Sequence, residues 1–196
     1  MAFSISYLSG VVLAGGASSR MGSEKALLTL DGLPLWRRQY NLLAHAGVSD
    51  RLVSVRRDQN WPPPEVVRVI DAAPDGGPLV GIIAAMTRMR HPHLLVLAVD
   101  LPKVPVAWVA RLRERCSERM GAVGQHANGT FEPLAAIYPQ AFLSMARAAM
   151  AAGELSLQKL LASAVEDGLF REVAIMPEET SWFENWNAPE DVSGVA

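Results

Sequence analysis

Short apolar runs of strand length alternate along this chain with stretches of helical period, and that alternation restricts it to a mainly parallel sheet covered by helices on both faces. Val11 to Ala14 is the first apolar run. Leu35 to Ala46 follows with helical period, and Gly47 stands where a C-terminal cap belongs. Arg51 to Val55 reads as the next strand, and after Pro62-Pro63-Pro64 the run Val66 to Ile70 reads as another. Pro78 to Met89 predicts a helix with proline in its first turn, and Leu94 to Val99 is the most apolar strand. Beyond it the pattern predicts a helix over Val106 to Cys116, strands near Ala122 and over Leu134 to Ile137, two helices between Ala141 and Ala164, and a last strand near Val173 to Ile175. Trp61 to Glu65 and Ala72 to Gly77 read as mobile loops.

Composition narrows the function classes. With 196 residues, 50% hydrophobic, the chain can bury a real core and is expected to form one domain over residues 1–196. A net charge of −2 without a long basic tract excludes the footprint of a duplex-nucleic-acid binder, so any phosphate it takes belongs to a small molecule. The lone Cys116 rules out an intramolecular disulfide and a thiolate metal cluster, and it reads as a helix-face residue in a reducing compartment. The apolar runs fall far short of the roughly 20 residues a membrane span needs. A cytoplasmic protein with no membrane or nucleic-acid partner is expected.

Open sheets of this kind bind ligands at the C-terminal ends of their strands. There the first strand opens into Leu13-Ala14-Gly15-Gly16-Ala17-Ser18-Ser19-Arg20-Met21-Gly22-Ser23-Glu24-Lys25. Small residues let backbone N–H groups approach phosphate oxygens, and Arg20 and Lys25 supply neutralising charge, which together read as a triphosphate cradle. No Gly-Lys-Ser/Thr closes it as in a Walker A loop, and its glycine spacing is wrong for a dinucleotide fingerprint. Asp100 ends the most apolar strand and is followed by Leu101-Pro102. Its carboxylate at the sheet edge suits Mg²⁺, which prefers one or two carboxylates with waters and phosphate oxygens; a cap on the next helix is the alternative. Asp71 closes its strand ahead of a glycine-rich turn, as a ligand acceptor or as the start of an Asx turn. In the tail, Asn185 and Asn187 flank Trp186, and an extended strand here would put both amides on one face; turn chemistry and a cap before Pro189 compete with that reading. His45, His91, His93 and His126 lack ligand spacing and read as structural.

The segment Leu13 to Lys25 resembles the signature of the molybdenum cofactor nucleotidyltransferases. The likeness continues through Gly32-Leu33-Pro34-Leu35, Gly77-Pro78-Leu79-Val80-Gly81, Val99-Asp100-Leu101-Pro102, Glu132-Pro133-Leu134-Ala135-Ala136-Ile137-Tyr138 and Phe183-Glu184-Asn185-Trp186-Asn187-Ala188-Pro189-Glu190-Asp191, almost the whole chain in order. Ala14-Gly15-Gly16 and the Asn-x-Asn-x-Pro ending are similar to the guanylyltransferase branch rather than the cytidylyltransferase branch.

The resemblance implies a Rossmann-like three-layer α/β sandwich of the nucleotide-diphospho-sugar transferase type. It implies transfer of GMP from GTP to the terminal phosphate of molybdopterin, with Mg²⁺ as cofactor and molybdoenzymes or their chaperones as further partners. By the same resemblance Asp100 is the metal-binding aspartate, and Arg20, Lys25 and Asp100 carry catalysis. Leu13, Ala14, Gly15, Gly16, Lys25, Arg56, Asp71 and Asp100 bind nucleotide, Asn185 and Asn187 bind molybdopterin, and Asn187 assists the metal. One departure stands out: Arg56 occupies a position where family members commonly carry asparagine, and a guanidinium cannot accept a hydrogen bond as an amide can. The rival readings are a molybdopterin cytidylyltransferase, a sugar-1-phosphate nucleotidyltransferase, and a nucleotide-binding adaptor without catalysis.

Overall fold

The structure is a computed structural model that describes residues 7–15, 24–71 and 76–186. Within them, strands β1 (Ser9–Leu13), β4 (Asp50–Val55), β5 (Val67–Ile70), β6 (His93–Ala98), β7 (Gly121–Gln125), β8 (Phe131–Pro139) and β9 (Phe170–Ala174) form one seven-stranded sheet in the order β5-β4-β1-β6-β8-β7-β9. β8 runs antiparallel to both its neighbours, and every other pairing is parallel. The strands that read as uninterrupted apolar runs are those buried on both faces: all six residues of β6 and all five of β1 are buried.

Two cores follow from that double burial. On one face α1 (Leu35–His45) and α3 (Val106–Arg115) set Leu35, Leu43, Trp108 and Leu112 against Val12, Val53, Leu95 and Ile137. On the other, α2 (Gly77–Arg88), α4 (Phe142–Ala151) and α5 (Leu157–Glu166) set Leu79, Ile82, Phe142 and Leu161 against Val11, Val96 and Tyr138. The alternation expected from sequence is therefore a three-layer α/β sandwich. Gly47 takes the positive φ of 73° that ends α1, and Ser156 caps α5 by accepting from the backbone N–H of Lys159.

Several local expectations change. A two-strand hairpin, β2 (Thr29–Leu30) with β3 (Leu33–Pro34), and a 3-10 helix over Pro177–Phe183 were not legible in the periodicity. Such short elements carry too few residues to show a period. The Trp61 to Glu65 loop is tied down rather than loose: the Trp61 ring lies 5.8 Å from that of Trp36, and its indole N–H donates to Glu24. In the loop 72–77 only Gly76 and Gly77 are described; Ala72 to Asp75 lie outside the described residues.

β1 lies between β4 and β6, so the chain leaves β1 in one direction, adds β4 and β5, and returns to the other side of β1 with β6. That reversal opens a crevice at the C-terminal ends of β1 and β6, the standard position for a ligand in an open α/β sheet.

Candidate active site

The strand registers bring the scattered sequence candidates into one row. β1 pairs with β6 at Leu13 and Ala98 and with β4 at Leu13 and Ser54, so two residues further on Gly15 stands beside both Asp100 and Arg56. β4 pairs with β5 at Val55 and Ile70, so the next step sets Arg56 beside Asp71. Backbone bonds from Val99 to Leu13 (3.2 Å), Ala14 to Ser54 (3.0 Å) and Asp71 to Val55 (3.0 Å) carry the ladder past the strand ends. Leu13 and Ala14 are thus buried and committed to the sheet through these atoms, and they aim the loop that leaves it.

Asp71 reaches across β4 and β1. Its Oδ1 accepts from the buried Ser54 hydroxyl, and its Oδ2 fills the space a side chain on Gly15 would need. Gly81 of α2 closes the other side, since a Cβ there would lie 2.7 Å from Ser54 Oγ and 3.3 Å from Asp71 Oδ1. Burial raises the Asp71 carboxyl above the ordinary aspartate value, against the opposing pull of the Ser54 bond and Arg56.

Asp100 is held by its backbone. The N–H of Trp186 donates to its carbonyl at 2.9 Å, and the next two residues are tied to α1, where the Gln39 amide donates to Leu101 O and Arg38 Nε to Pro102 O at 3.0 Å. One carboxylate oxygen faces Lys25 Nζ at 3.7 Å. The other, Oδ1, is buried with no hydrogen-bond partner among the described residues. An unpaired buried carboxylate oxygen is costly unless something cationic or protic completes it, and this donor is of the hard type that Mg²⁺ takes.

Arg56 is engaged on several sides. Its guanidinium makes paired contacts with Asp58 at 3.2 and 3.4 Å, donates to Gly15 O at 3.4 Å and approaches Glu24 at 4.0 Å. It braces the start of the loop, whereas Arg57 is exposed as a solvated charge. Gly16, Arg20 and Asn187 lie outside the described residues.

The tail departs from the expected extended strand. Phe183 ends the 3-10 helix, residues 184–186 are irregular, Asn185 is exposed, and Trp186 packs into the core beside Val99 and Leu101. The indole face is a packing surface because burying so large a ring contributes more than exposing it.

A second correction concerns His126. It sits across the β7–β8 hairpin from Glu132, with Nε2 3.5 Å from the carboxylate, a proximity that the spacing in the chain did not show. β6 and β8 pair up to Leu97 and Ala135, and the antiparallel run of β8 brings Glu132 to the Asp100 end of the sheet, near enough for the Asp100 charge to act on it. Burial, together with the Asp100 charge, pushes the Glu132 carboxyl up to about 7. Its stretch resembled the family, but its place beside Asp100 depends on a reversed strand that no local pattern announces. Ser54 and Gly81 were missed for the same reason. The other histidines fill structural places, His93 buried with Nε2 3.2 Å from Met120 O and His91 stacked on Tyr7.

A three-layer sandwich with a glycine at the end of its first strand, a half-buried aspartate and a lysine–aspartate pair at its switch point fits an α/β nucleotidyltransferase. The MobA-like NTP transferase domain family matches residues 10–168, and the chain belongs to that family. It is 42% identical over 195 residues, 97% of this chain and 96% of the other, to a protein of Opitutus terrae named "Probable molybdenum cofactor guanylyltransferase". It is 32% identical to the molybdenum cofactor guanylyltransferase of Pseudomonas putida, covering 92% and 93% of the two chains. The solved molybdopterin-guanine dinucleotide biosynthesis protein A of Archaeoglobus fulgidus shares the fold with a TM-score of 0.69 over 94% and 95% of the two chains, at 20% identity.

Proposed function

We propose that this protein, working as one domain over residues 1–196, transfers GMP from GTP to the terminal phosphate of molybdopterin, releasing pyrophosphate. The observation that carries the reading is the row Asp71, Arg56, Gly15 and Asp100 across the switch point, with Lys25 set against Asp100. The names of the full-length relatives supply the substrates.

Nucleotide phosphates enter over the loop that begins at Gly15, where Lys25 and Arg20 offset their charge, and Asp71 accepts from the ribose or base. Arg56 holds the loop's first carbonyl and borders the base side. Asn185 and Asn187 border the acceptor. Asp100, assisted by Asn187, would hold Mg²⁺, its partnerless oxygen being a fit donor, and the ion would supply charge neutralisation for the α-phosphate. The acceptor phosphate attacks in line and pyrophosphate leaves. No general base is needed, because a phosphate monoester is already ionised near neutral pH, its second pKa lying at about 6. Positioning and electrostatics carry the rate.

We place the protein in the cytoplasm with molybdoenzymes or their chaperones downstream. No helix among the described residues is long and apolar enough to cross a membrane, and the buried free thiol of Cys116 suits a reducing compartment. The test is pyrophosphate release by the purified protein with Mg²⁺ and molybdopterin, offered GTP, CTP or ATP in parallel. Release with GTP alone supports the reading. Release with CTP moves the protein to the cytidylyl branch, and silence with all three alongside intact nucleotide binding makes it an adaptor.

A further inference from the structure

The row across the sheet changes chemistry at Asp100. On the β1–β4 side the cations are Lys25 and Arg56, both partly buried, which suit phosphates. On the β8 side stands Glu132, a mostly buried side chain, 14% exposed, whose carboxylate lies 3.5 Å from His126 Nε2 on the facing strand end and feels the Asp100 charge. His126 is itself fixed. Its backbone N–H donates to Thr130 O at 2.8 Å, its carbonyl accepts from Gly129, and its ring meets the edge of Phe183 at 5.8 Å. Phe183 is wedged against Trp108 at 5.0 Å, so the imidazole is braced from the core.

Glu132 lies beyond Asp100 from Lys25 and Arg56, the cations that suit phosphates, so a phosphate has no neutralising partner beside it. The carboxylate can serve the part of the acceptor that carries hydrogen-bond donors. We propose that Glu132, oriented by His126, is an acceptor-binding residue that takes a ring N–H of the reduced pterin and so selects a nitrogen-rich acceptor over a phosphorylated sugar. This deepens the reading of the site as a pterin-accepting transferase and rests on it. A pterin ring presents several N–H donors and a sugar phosphate presents hydroxyls, so a fixed, poorly hydrated carboxylate discriminates between them by geometry. Glu132 touches the acceptor, and His126 acts through it as a positioning residue.

The experiment compares wild type with Glu132→Gln and Glu132→Ala in GTP-dependent pyrophosphate release, with molybdopterin and GTP varied separately. Direct binding of molybdopterin without nucleotide and the melting temperature are measured on the same preparations. The expected result is a rise of about tenfold or more in the molybdopterin KM and Kd of both variants, the loss of one charge-assisted hydrogen bond, with the GTP KM within about twofold of wild type. His126→Ala shows a smaller loss, rescued by His126→Gln, whose amide can again donate to Glu132. Unchanged molybdopterin KM and Kd in a folded Glu132→Gln, beside an active wild type, overturn this inference alone. A wild type that neither turns over nor binds molybdopterin overturns the proposed function and this inference with it.

Discussion

Gly15 and Asp71 compete for the same space: a Cβ atom on Gly15 would overlap Oδ2 of Asp71 and lie 3.6 Å from the backbone nitrogen of Arg56. The conflict is with the end of a side chain, so the fold can survive it while the carboxylate cannot keep its place. Gly15→Ala is expected to leave the melting temperature within a few degrees and to weaken GTP binding about tenfold or more, the cost of a misplaced charged acceptor. Calorimetric titration with GTP checks it; an unchanged Kd removes Asp71 from the nucleotide site.

Ionising Asp71 costs the fold, because burial disfavours its charged form. Its folded-state value lies above the ordinary aspartate value, so between the two the folded protein binds more proton than the unfolded chain, and stability falls as pH rises across that window. Above the window the whole cost is present. Asp71→Asn is therefore expected to raise the melting temperature by a few degrees at pH 7, to lose that advantage as pH falls through the window, and to weaken nucleotide binding. Thermal melts from pH 7 to 4 read the crossover, and destabilisation at pH 7 would contradict the assignment.

Asp100 and Lys25 divide their effects. Asp100→Ala removes the oxygen that lacks a protein partner but keeps the backbone bond to Trp186. Turnover should drop by on the order of 10³-fold with little loss of stability. Lys25→Ala should chiefly raise the GTP KM, because a partly buried ammonium 3.7 Å from Asp100 acts on ground-state phosphates as well as on the transition state. Steady-state kinetics over a range of Mg²⁺ separate the two, and undiminished turnover in Asp100→Ala would sink the metal assignment.

Trp186 links the tail to the site. Its ring is buried under Lys103, whose Nζ lies 5.6 Å from the ring centroid, and its N–H holds the Asp100 carbonyl. Trp186→Ala is expected to cost about 3–5 kcal/mol in urea denaturation, as buried tryptophans do, and to lower kcat through a loosened Asp100. Stability lost with kcat intact would confine the residue to packing.

The amino-acid pattern alone determined the layered α/β class, the order of the principal strands and helices, and the glycine loop with Lys25, Asp71 and Asp100, because period and strand-end chemistry are local properties written within a few residues. It left the Asn185–Trp186 segment open between an extended strand and turn chemistry, since where Trp186 packs depends on what lies beside it. It passed over Ser54, and it gave no site role of their own to Gly81, His126 and Glu132. Only the tertiary structure decided those: Ser54 and Gly81 matter through the reach of Asp71, and Glu132 meets Asp100 because β8 enters the sheet reversed. Strand order and register arise from contacts between segments far apart in the chain, where side-chain packing over the whole sheet selects one pairing and no local run of residues records the choice.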